Sequence, residues 1–480
     1  MTQDEARYDA FESPLASRYA GREMAGIFSP AAKFRTWRRI WIALAESEQE
    51  LGLPITDEQV RELRAHASDV NFERAEAIEK ELRHDVMAHV HAFGEQCPKA
   101  RAIIHLGATS CDIGDNADLV AMREGLDLLG RRLLTTMDRL ARFAAEHRGL
   151  ATLGFTHYQA AQLVTVGKRA CLWLYDLLLD FEAVEAARAA LRFRGIKGTT
   201  GTQASFLRLF EGDHAKVERL DELVARKLGF DKVYPVSGQT YTRKIDAQIV
   251  GVLSGIAQSA HKFANDLRLL ANLKEMEEPF EAEQIGSSAM AYKRNPMRSE
   301  RMTALARVLI AMQPAAAQTA AEQWLERSLD DSAARRIVIG EGFLAADAIL
   351  RLYQNIAEGL VVYPQMIARH IAEELPFMAT ENILMAAVKA GGDRQDLHER
   401  IRRHSQDAAR KVKMEGGQND LLDRLKADAA FTWVDIAAEL DPARFVGRAP
   451  QQVDELLVGV IRPVLDANRV RIGTEAEIDV

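Results

Sequence analysis

Apolar residues recur at steps of three and four along three long stretches of the chain. These stretches cover residues 119–144, 163–191 and 245–270. Steps of three and four place side chains on one face of an α-helix. Proline, which breaks helix interiors, is absent between Pro98 and Pro235, so the first two stretches have room for uninterrupted helices. The pattern therefore predicts long helices packed as a central bundle.

Capping residues predict shorter helices on both sides of this region. Ser29 and Pro30 have the order expected of an N-cap residue and the first helical position. Towards the other end, one predicted helix ends at Gly391, and another begins near Asp393 and ends at Gly416. The chain ends thus differ in helix length from its centre.

Alternation typical of β-strands is scarce, so the sequence predicts an all-α fold. Breaks in helix length and composition near positions 110 and 363 predict three helical domains. The N-terminal domain would cover 1–109, the central long-helix bundle 110–362, and the C-terminal domain 363–480. A length of 480 residues fits about three domains of ~100–200 residues each.

Composition excludes several classes of protein. The chain is 48% hydrophobic and 28% charged, which is typical of a folded globular protein and not of a disordered one. Its formal net charge is −8, whereas dedicated binders of nucleic acid or of anionic membranes are usually basic. We therefore expect neither nucleic acid nor membrane among its partners, although a local basic pocket for a small anion is compatible with this charge.

The three cysteines, Cys97, Cys111 and Cys171, have neither zinc-knuckle nor redox-motif spacing. Structural disulfides are not expected, which fits a reducing compartment. The first residues are acidic and polar, unlike a secretory signal, and no apolar run approaches the ~18 residues of a membrane span. We expect a cytoplasmic protein.

Four polar segments lie between the predicted helices, where functional residues concentrate. They contain His84 with Asp85, Thr109 with Ser110, and His157 in GFTHYQAAQL. The fourth is residues 286–300, GSSAMAYKRNPMRSE, which combines glycine, serines, basic groups and an Asn-Pro turn. It is too polar for a core segment, so these four segments are the candidates for a functional site.

The segment 286–296, GSSAMAYKRNP, resembles the GSSxMPxKxNP signature of the fumarase/aspartase superfamily, whose members eliminate or add fumarate. Within that superfamily the chain is similar to the adenylosuccinate lyase family, in its animal-type form, from about residue 17 to about residue 460. The similarity is carried by SRYA at 17–20, LRHDVMAHVH at 82–91, IIHLGATS at 103–110, FRGIKGTTGTQASF at 193–206, RLLANLKEMEEPFE at 268–281 and LDDSA at 329–333.

The resemblance implies a three-domain helical fold and a homotetramer, in which three subunits build each active site at the ends of a shared helical core. Two positions depart from the family pattern, which usually has proline where this chain has Ala160 and Ala291. Because proline restricts the unfolded and open-loop ensemble, these alanines affect loop rigidity more than the identity of the reaction.

The implied reaction cleaves a C–N bond by β-elimination and needs an acid, a base and stabilisation of a developing carboxylate charge. His157 is the candidate acid because imidazole exchanges protons near neutrality. By residue type alone it fits a helix N-cap equally well. Ser287 is the candidate base by resemblance, and a serine in that role needs an activating site. We expect the glycine-rich backbone and Lys293 to stabilise its alkoxide. The alternative is that Ser287 only caps a turn.

Lys293 and Asn295 are candidates to hold the carboxylate on which charge develops, and a solvated lysine is the alternative for the first. His84 resembles the second active-site histidine of the family. The spacing of His84, His89 and His91 does not match a zinc site, so no metal is expected. The reaction implies no organic cofactor.

The substrate implied by the resemblance is a nucleotide with one phosphate and a succinyl group, which bidentate cations and hydroxyl donors would bind. Surface ion pairs are the alternative for each matching position. These positions are Arg18, Tyr19, Arg83, Asp85, Thr109, Ser110, Thr156, Gln239, Arg301, Arg327, Ser332 and Arg336.

Two other functions compete with this interpretation. One is a different fumarate-releasing lyase, such as argininosuccinate lyase, which SRYA and LDDSA disfavour because they match the nucleotide pocket. The other is a silent structural relative, supported only by Ala160 and Ala291.

Overall fold

The computed structural model describes residues 10–281, 283–473 and 478, and most of them are helical. After a π-helical turn at Leu15–Tyr19, the N-terminal helices are α1 (Arg22–Ile27), α2 (Pro30–Glu50), α3 (Asp57–Ala65), α4 (Phe72–Leu82) and α5 (Asp85–Gln96). The central elements are α6 (Ser110–Glu146), strands β1 (Ala151–Thr156) and β2 (Gln159–Thr165), α7 (Val166–Ala190), α8 (Ala204–Leu209), α9 (His214–Lys227), α10 (Lys244–Asn272), β3 (Met276–Glu277), α11 (Met297–Ala321) and α12 (Asp331–Glu358).

The remaining elements are shorter, apart from one helix of 22 residues. They are β4 (Val361–Val362), α13 (Pro364–Met378), α14 (Thr380–Lys389), α15 (Arg394–Glu415), α16 (Leu421–Ala427), α17 (Ala449–Leu456), a π-helical turn (Leu457–Ile461) and α18 (Arg462–Ala467), with single 3₁₀ turns at Ala429–Phe431, Ala437–Leu440, Pro442–Arg444 and Arg469–Arg471.

The three long periodic stretches form the helices α6, α7 and α10 that the apolar pattern predicts. Together with α11 and α12 they pack side by side into one bundle. Its interior is apolar and tightly packed: a Cβ on Gly125 of α6 would lie 2.7 Å from the ring of the buried Phe343 of α12. The prediction of an all-α fold with a central long-helix bundle is confirmed.

The capping predictions also agree with the structure. Ser29 Oγ accepts a hydrogen bond from the Ala32 N–H at 3.1 Å, with proline at the first helical position. Asp393 caps α15, and Gly416 follows that helix in a left-handed conformation. A separate apolar cluster joins α14, α15 and α16. The division into domains at 109/110 and 362/363 stays a prediction.

The sequence analysis did not predict the antiparallel hairpin formed by β1 and β2, nor the short pairing of β3 with β4. The register of the hairpin pairs Thr156 with Gln159, and it is irregular between Leu153 and Phe155. At Gly154 in this irregular segment a Cβ would lie 2.6 Å from the Gln162 carbonyl oxygen, so only glycine fits. The segment before α7, predicted to be a loop, is therefore a β-ribbon, and the helix begins at Val166.

Ion pairs link α6, α10 and α12 inside the bundle. Arg243 donates to both carboxylate oxygens of Asp115 at 3.0 Å, and its Nε donates to Asp331 at 2.6 Å. Burial is the largest influence and alone would raise the pKa of Asp115, but the charges of Arg243, Arg335 and Arg194 together with the Arg243 hydrogen bond lower it overall. Breaking such a buried pair typically costs about 3–5 kcal/mol, so these residues fix the helix ends that carry the site.

Candidate active site

The loop between β3 and α11, residues 278–296 and here called the serine loop, carries Ser287, Lys293 and Asn295. Its described part folds back on itself. The Asn295 side-chain amide donates to the Gly286 carbonyl oxygen at 2.7 Å. Gly286 is buried, and a Cβ there would lie 2.2 Å from the Lys293 carbonyl oxygen. This close approach explains the glycine and brings the two ends of the signature together.

Ser287 lies inside this closed segment and is half-buried. Its Oγ accepts hydrogen bonds from the Met290 N–H at 3.1 Å and the Ala289 N–H at 3.4 Å. Donors directed at a hydroxyl oxygen favour its deprotonated form over its neutral form. This geometry fits both a turn cap and a serine activated by backbone donors.

Lys293 is exposed, and its Nζ makes no hydrogen bond with Ser287 among the described residues. No contact within a single chain therefore supports the expectation that this lysine stabilises the Ser287 alkoxide. The lysine remains available to bind an anion that enters the loop.

His157 lies at the tip of the β1–β2 hairpin, not at a helix N-terminus. His157 and Tyr158 form a two-residue connection with φ of 53° and 56°. A two-residue loop with both φ values positive has the form of a type I′ turn, which normally favours asparagine or glycine. Left-handed backbone costs other residues about 1–2 kcal/mol, and such strain concentrates at functional sites. The helix N-cap interpretation is wrong, because Thr165 caps α7 through Lys168 N–H at 3.1 Å.

His84 and Ser110 meet where α5 and α6 begin. The His84 Nε2 and Ser110 Oγ lie 3.2 Å apart, and His84 Nδ1 accepts the Met87 N–H at 3.3 Å. Since Nδ1 accepts, Nε2 carries the proton of the neutral ring and points to Ser110. Arg336 at the start of α12 reaches Asp85 at 3.4 Å. Residues from α5, α6 and α12 thus form one polar group, which we call the α5–α6 cluster.

Further predicted residues adjoin the α5–α6 cluster. Thr109 precedes Ser110, and Arg83 has a left-handed conformation directly before His84. The Gln239 N–H donates to the Glu326 carbonyl oxygen at 2.9 Å, which holds the segment that continues to Arg327. The predicted members of this region are Arg83, His84, Asp85, Thr109, Ser110, Gln239, Arg327, Ser332 and Arg336.

Arg327 is anchored from the bundle core. Its Nη1 donates to Asp331 at 2.7 Å and to the Ser328 carbonyl oxygen at 2.7 Å. Asp331 is fully buried and also binds Arg243. The guanidinium is therefore held from behind while part of it remains exposed, an arrangement suited to binding an anion.

A second basic pocket, here called the Arg18 pocket, is lined by Arg18, Tyr19, Arg301 and Arg351 of α12. Arg351 donates to the Tyr19 carbonyl oxygen at 3.1 Å. Arg301 lies on the first turns of α11, so the polar segment 286–300 is a loop only as far as Pro296 and is helical from Met297.

The candidate histidines His84 and His157 are exposed, whereas the nearby His89 is buried and His105 is half-buried. Burial lowers the pKa of His105 to about 4, and burial with the Arg38 and Lys33 charges lowers the pKa of His89 to about 4. Both rings are neutral near pH 7 and cannot serve as proton donors. Burial also raises the pKa of the Cys111 thiol to about 12, so this neighbour of Ser110 is not a thiolate.

Asp112 is a positioning residue that the sequence analysis missed. It is fully buried and forms an ion pair with Arg194. Its carboxylate also accepts the Thr109 N–H at 2.8 Å and the Lys197 N–H at 2.8 Å. The signal was available, since an acidic residue three positions after a threonine at a helix start suggests a capping box.

Within one chain the predicted site residues form four separate groups. These are the serine loop, the hairpin tip with Thr156 and His157, the α5–α6 cluster and the Arg18 pocket. Among the described residues, no hydrogen bond joins His157 to the serine loop or to His84. Nor does that part of the chain hold three or more His, Cys, Asp or Glu side chains grouped to bind a metal.

Comparison with known proteins identifies the family. The family model described as "Lyase" matches residues 22–310, and that described as "Adenylosuccinate lyase C-terminus" matches residues 376–456. Adenylosuccinate lyase from Saccharomyces cerevisiae is 56% identical, covering 94% of both chains. That from Schizosaccharomyces pombe is 51% identical, covering 98% of this chain and 99% of its own.

Solved structures share the fold at lower identity. A fumarate lyase from Mesorhizobium sp. BNC1 superposes with a TM-score of 0.78 at 23% identity, covering 92% of this chain and 99% of its own. A 3-carboxy-cis,cis-muconate lactonizing enzyme from Pseudomonas putida gives a TM-score of 0.80 at 23% identity, covering 92% and 98%. These structures show the shared fold, and the family models together with the two yeast relatives show that the chain belongs to the adenylosuccinate lyase family.

Proposed function

We propose that the protein is a C–N lyase that eliminates fumarate from adenylosuccinate to give AMP, and from SAICAR to give AICAR, in purine nucleotide biosynthesis. The observation that carries the proposal is the Ser287 hydroxyl, held by two backbone N–H donors inside the family signature. Identity of 56% across 94% of the chain to an adenylosuccinate lyase supports the substrate class.

In the proposed reaction Ser287, as an alkoxide, takes the proton from the carbon next to a succinyl carboxylate. The electron pair forms the C=C bond of fumarate, and the C–N bond breaks. His157 gives its proton to the departing nitrogen. Lys293 and Asn295 bind the carboxylate on which charge accumulates, and donors organised in advance for that charge supply much of the rate enhancement.

Basic groups of the chain suit the nucleotide phosphate. Arg327 is held by Asp331, Arg336 is an exposed cation at the start of α12, and Arg18 is an exposed cation in the separate Arg18 pocket. One guanidinium group can donate two parallel hydrogen bonds to the oxygens of a phosphate, so these arginines fit a monophosphate. His84, hydrogen-bonded to Ser110, would lie beside the substrate in the same region.

We also propose that the protein acts as a homotetramer with sites shared between subunits. The serine loop, the hairpin tip and the α5–α6 cluster lie apart in one chain, although the reaction needs the acid and the base at one substrate. The central helix α7 exposes Leu172, Tyr175 and Leu179 at helical spacing on a second apolar face. A helix that is apolar on two faces is usually buried on both, so a neighbouring subunit would cover it.

None of the described helices has the length and apolar character needed to cross a membrane. The cytoplasmic location and the lack of a metal or cofactor stay predictions from the sequence.

The test is the ultraviolet spectrum of adenylosuccinate during incubation with the purified protein, with fumarate assayed independently. Conversion to AMP with an equal amount of fumarate is expected. No change with adenylosuccinate, but fumarate from another succinyl compound such as argininosuccinate, would contradict the substrate. No fumarate from any of them would indicate a silent relative.

A further inference from the structure

We infer that Glu278 is a positioning residue that fixes the serine loop and thereby the hydrogen bonds at Ser287. This inference rests on the proposed function for its catalytic consequence. Glu278 directly follows strand β3, at the entrance to the loop, and its side chain reaches the loop exit.

The Glu278 carboxylate caps the first turn of α11. Its Oε1 accepts the Arg298 N–H at 2.9 Å, and its Oε2 accepts the Ser299 N–H at 2.8 Å and the Ser299 hydroxyl at 2.7 Å. The N-cap position itself is Pro296, which has no side-chain cap. The free N–H groups and positive dipole end of α11 are therefore satisfied by a carboxylate from the other end of the loop.

Glu278 does not act on substrate directly. Its side chain is 5% exposed, and both oxygens are occupied by donors of α11. Burial raises the pKa of Glu278, while the hydrogen bonds from Arg298 and Ser299 oppose that rise. A carboxylate so enclosed influences the reaction only through the backbone it holds.

A second contact fixes the loop entrance at the same place. A Cβ on Gly359, at the end of α12, would lie 2.5 Å from Cβ of Pro279. From the exit side, Arg298 donates to Asn355 of α12 at 2.7 Å and forms an ion pair with Glu281. These contacts, which we call the clamp, attach the entrance and the exit of the loop to each other and to the last turns of α12.

The clamp determines the geometry at Ser287. The two N–H donors, at Ala289 and Met290, lie within the loop and have no support from a helix or strand. If the loop ends separate, the loop gains conformers and these hydrogen bonds lengthen. A misplacement of about 1 Å at a reacting group can lower the rate by about 10²-fold.

The experiment compares Glu278→Gln, Ser299→Ala and Gly359→Ala in the full-length protein. The first removes the charge, the second removes one of three hydrogen bonds, and the third displaces Pro279. Gly340→Ala is the matched control, because it lies on the same helix and a Cβ there meets only Phe28, at 4.0 Å. Hydrogen exchange at the Ala289 and Met290 amides is measured beside kcat and KM for adenylosuccinate.

We expect Glu278→Gln to lower kcat by about 10-fold to 10²-fold with KM changed less than about 3-fold. Exchange at Ala289 and Met290 should accelerate while the amides of α6 and α10 stay protected. Ser299→Ala should show the same changes to a smaller extent, and Gly340→Ala neither. If Glu278→Gln does not fold, Ser299→Ala and Gly359→Ala carry the test.

Loss of kcat without faster exchange at these amides would overturn the inference, as would faster exchange with unchanged kcat. Failure of the proposed function looks different, since the wild-type protein would then release no fumarate. Unchanged exchange in every clamp variant would overturn the inference even in that case.

Discussion

The Lys293 backbone N–H donates to the Met290 carbonyl oxygen at 2.9 Å, which makes residues 290–293 a β-turn with Ala291 in its second position. Proline is favoured at the second position of such a β-turn because its fixed φ matches the φ that this position requires. Ala291→Pro should therefore stabilise the loop, by about 0.5 kcal/mol, and slow exchange at the Lys293 amide. Hydrogen exchange and thermal unfolding measure these effects.

The matched control is Ala289→Pro, two positions earlier in the same loop. It removes the N–H that donates to Ser287 Oγ at 3.4 Å, so fumarate release should fall. Faster exchange at Lys293 in Ala291→Pro would show that the turn does not accommodate proline.

Ser287→Ala and His157→Ala should each lower kcat by about 10²-fold to 10⁴-fold, because each removes a proton-transfer group. Both side chains lie outside the apolar core, so circular dichroism and the oligomeric state should be unchanged. Steady-state fumarate release measures the loss. Tyr292→Phe, which removes an exposed hydroxyl from the same loop, is the control and should retain activity. Near-normal turnover in Ser287→Ala would contradict the assignment of the base.

Mixing the two inactive variants should restore activity if each site takes Ser287 and His157 from different subunits. Random assembly of equal amounts would give both intact residues in up to about a quarter of the sites. Co-expression followed by an assay of fumarate release measures this. Mixed tetramers, verified by mass, that stay inactive would contradict the shared site.

Glu48 gives the protein a pH-dependent stability. Both of its carboxylate oxygens are buried without a hydrogen-bond partner among the described residues, and burial raises its pKa from 4.5 to about 9. Between these pH values the folded protein holds a proton that the unfolded chain releases. The contribution of Glu48 to the free energy of unfolding therefore decreases as pH rises, by up to about 1.4 kcal/mol per pH unit.

Glu48→Gln removes this dependence because the amide does not ionise. The thermal midpoint of the variant, relative to that of the wild type, should rise as pH increases from 5 to 8. Glu50→Gln, on the exposed face of the same helix, is the control and should shift stability by less than about 1 kcal/mol at every pH. Parallel curves for Glu48→Gln and wild type would show that the buried carboxyl is already ionised.

The helices were predictable from sequence because burial on one face leaves a period of three to four residues. The hairpin was not. Its period of two is interrupted by the irregular pairing at Gly154, and its turn uses His157 and Tyr158 where asparagine and glycine are usual. The turn therefore lacks the residues by which such a turn is normally predicted.

The signature identified the candidate residues, but it did not identify the residues that hold them in place. Ser287 could be selected by resemblance, whereas its backbone donors depend on how the loop closes between Gly286 and Asn295. Glu278 lies within a run of acidic residues that is typical of a solvated surface. Only the fold places its carboxylate on the N–H groups of α11.

The packing of α6 against α12 affects how the chain is made. Helix α12 begins at Asp331, about 185 residues after α6 ends at Glu146. At a ribosomal rate of about 5–20 residues per second, the face of α6 around Gly125 is synthesised roughly 10–40 s before Phe343 exists to cover it. The nascent bundle therefore exposes an apolar groove for that time, and chaperone binding during translation should concentrate there.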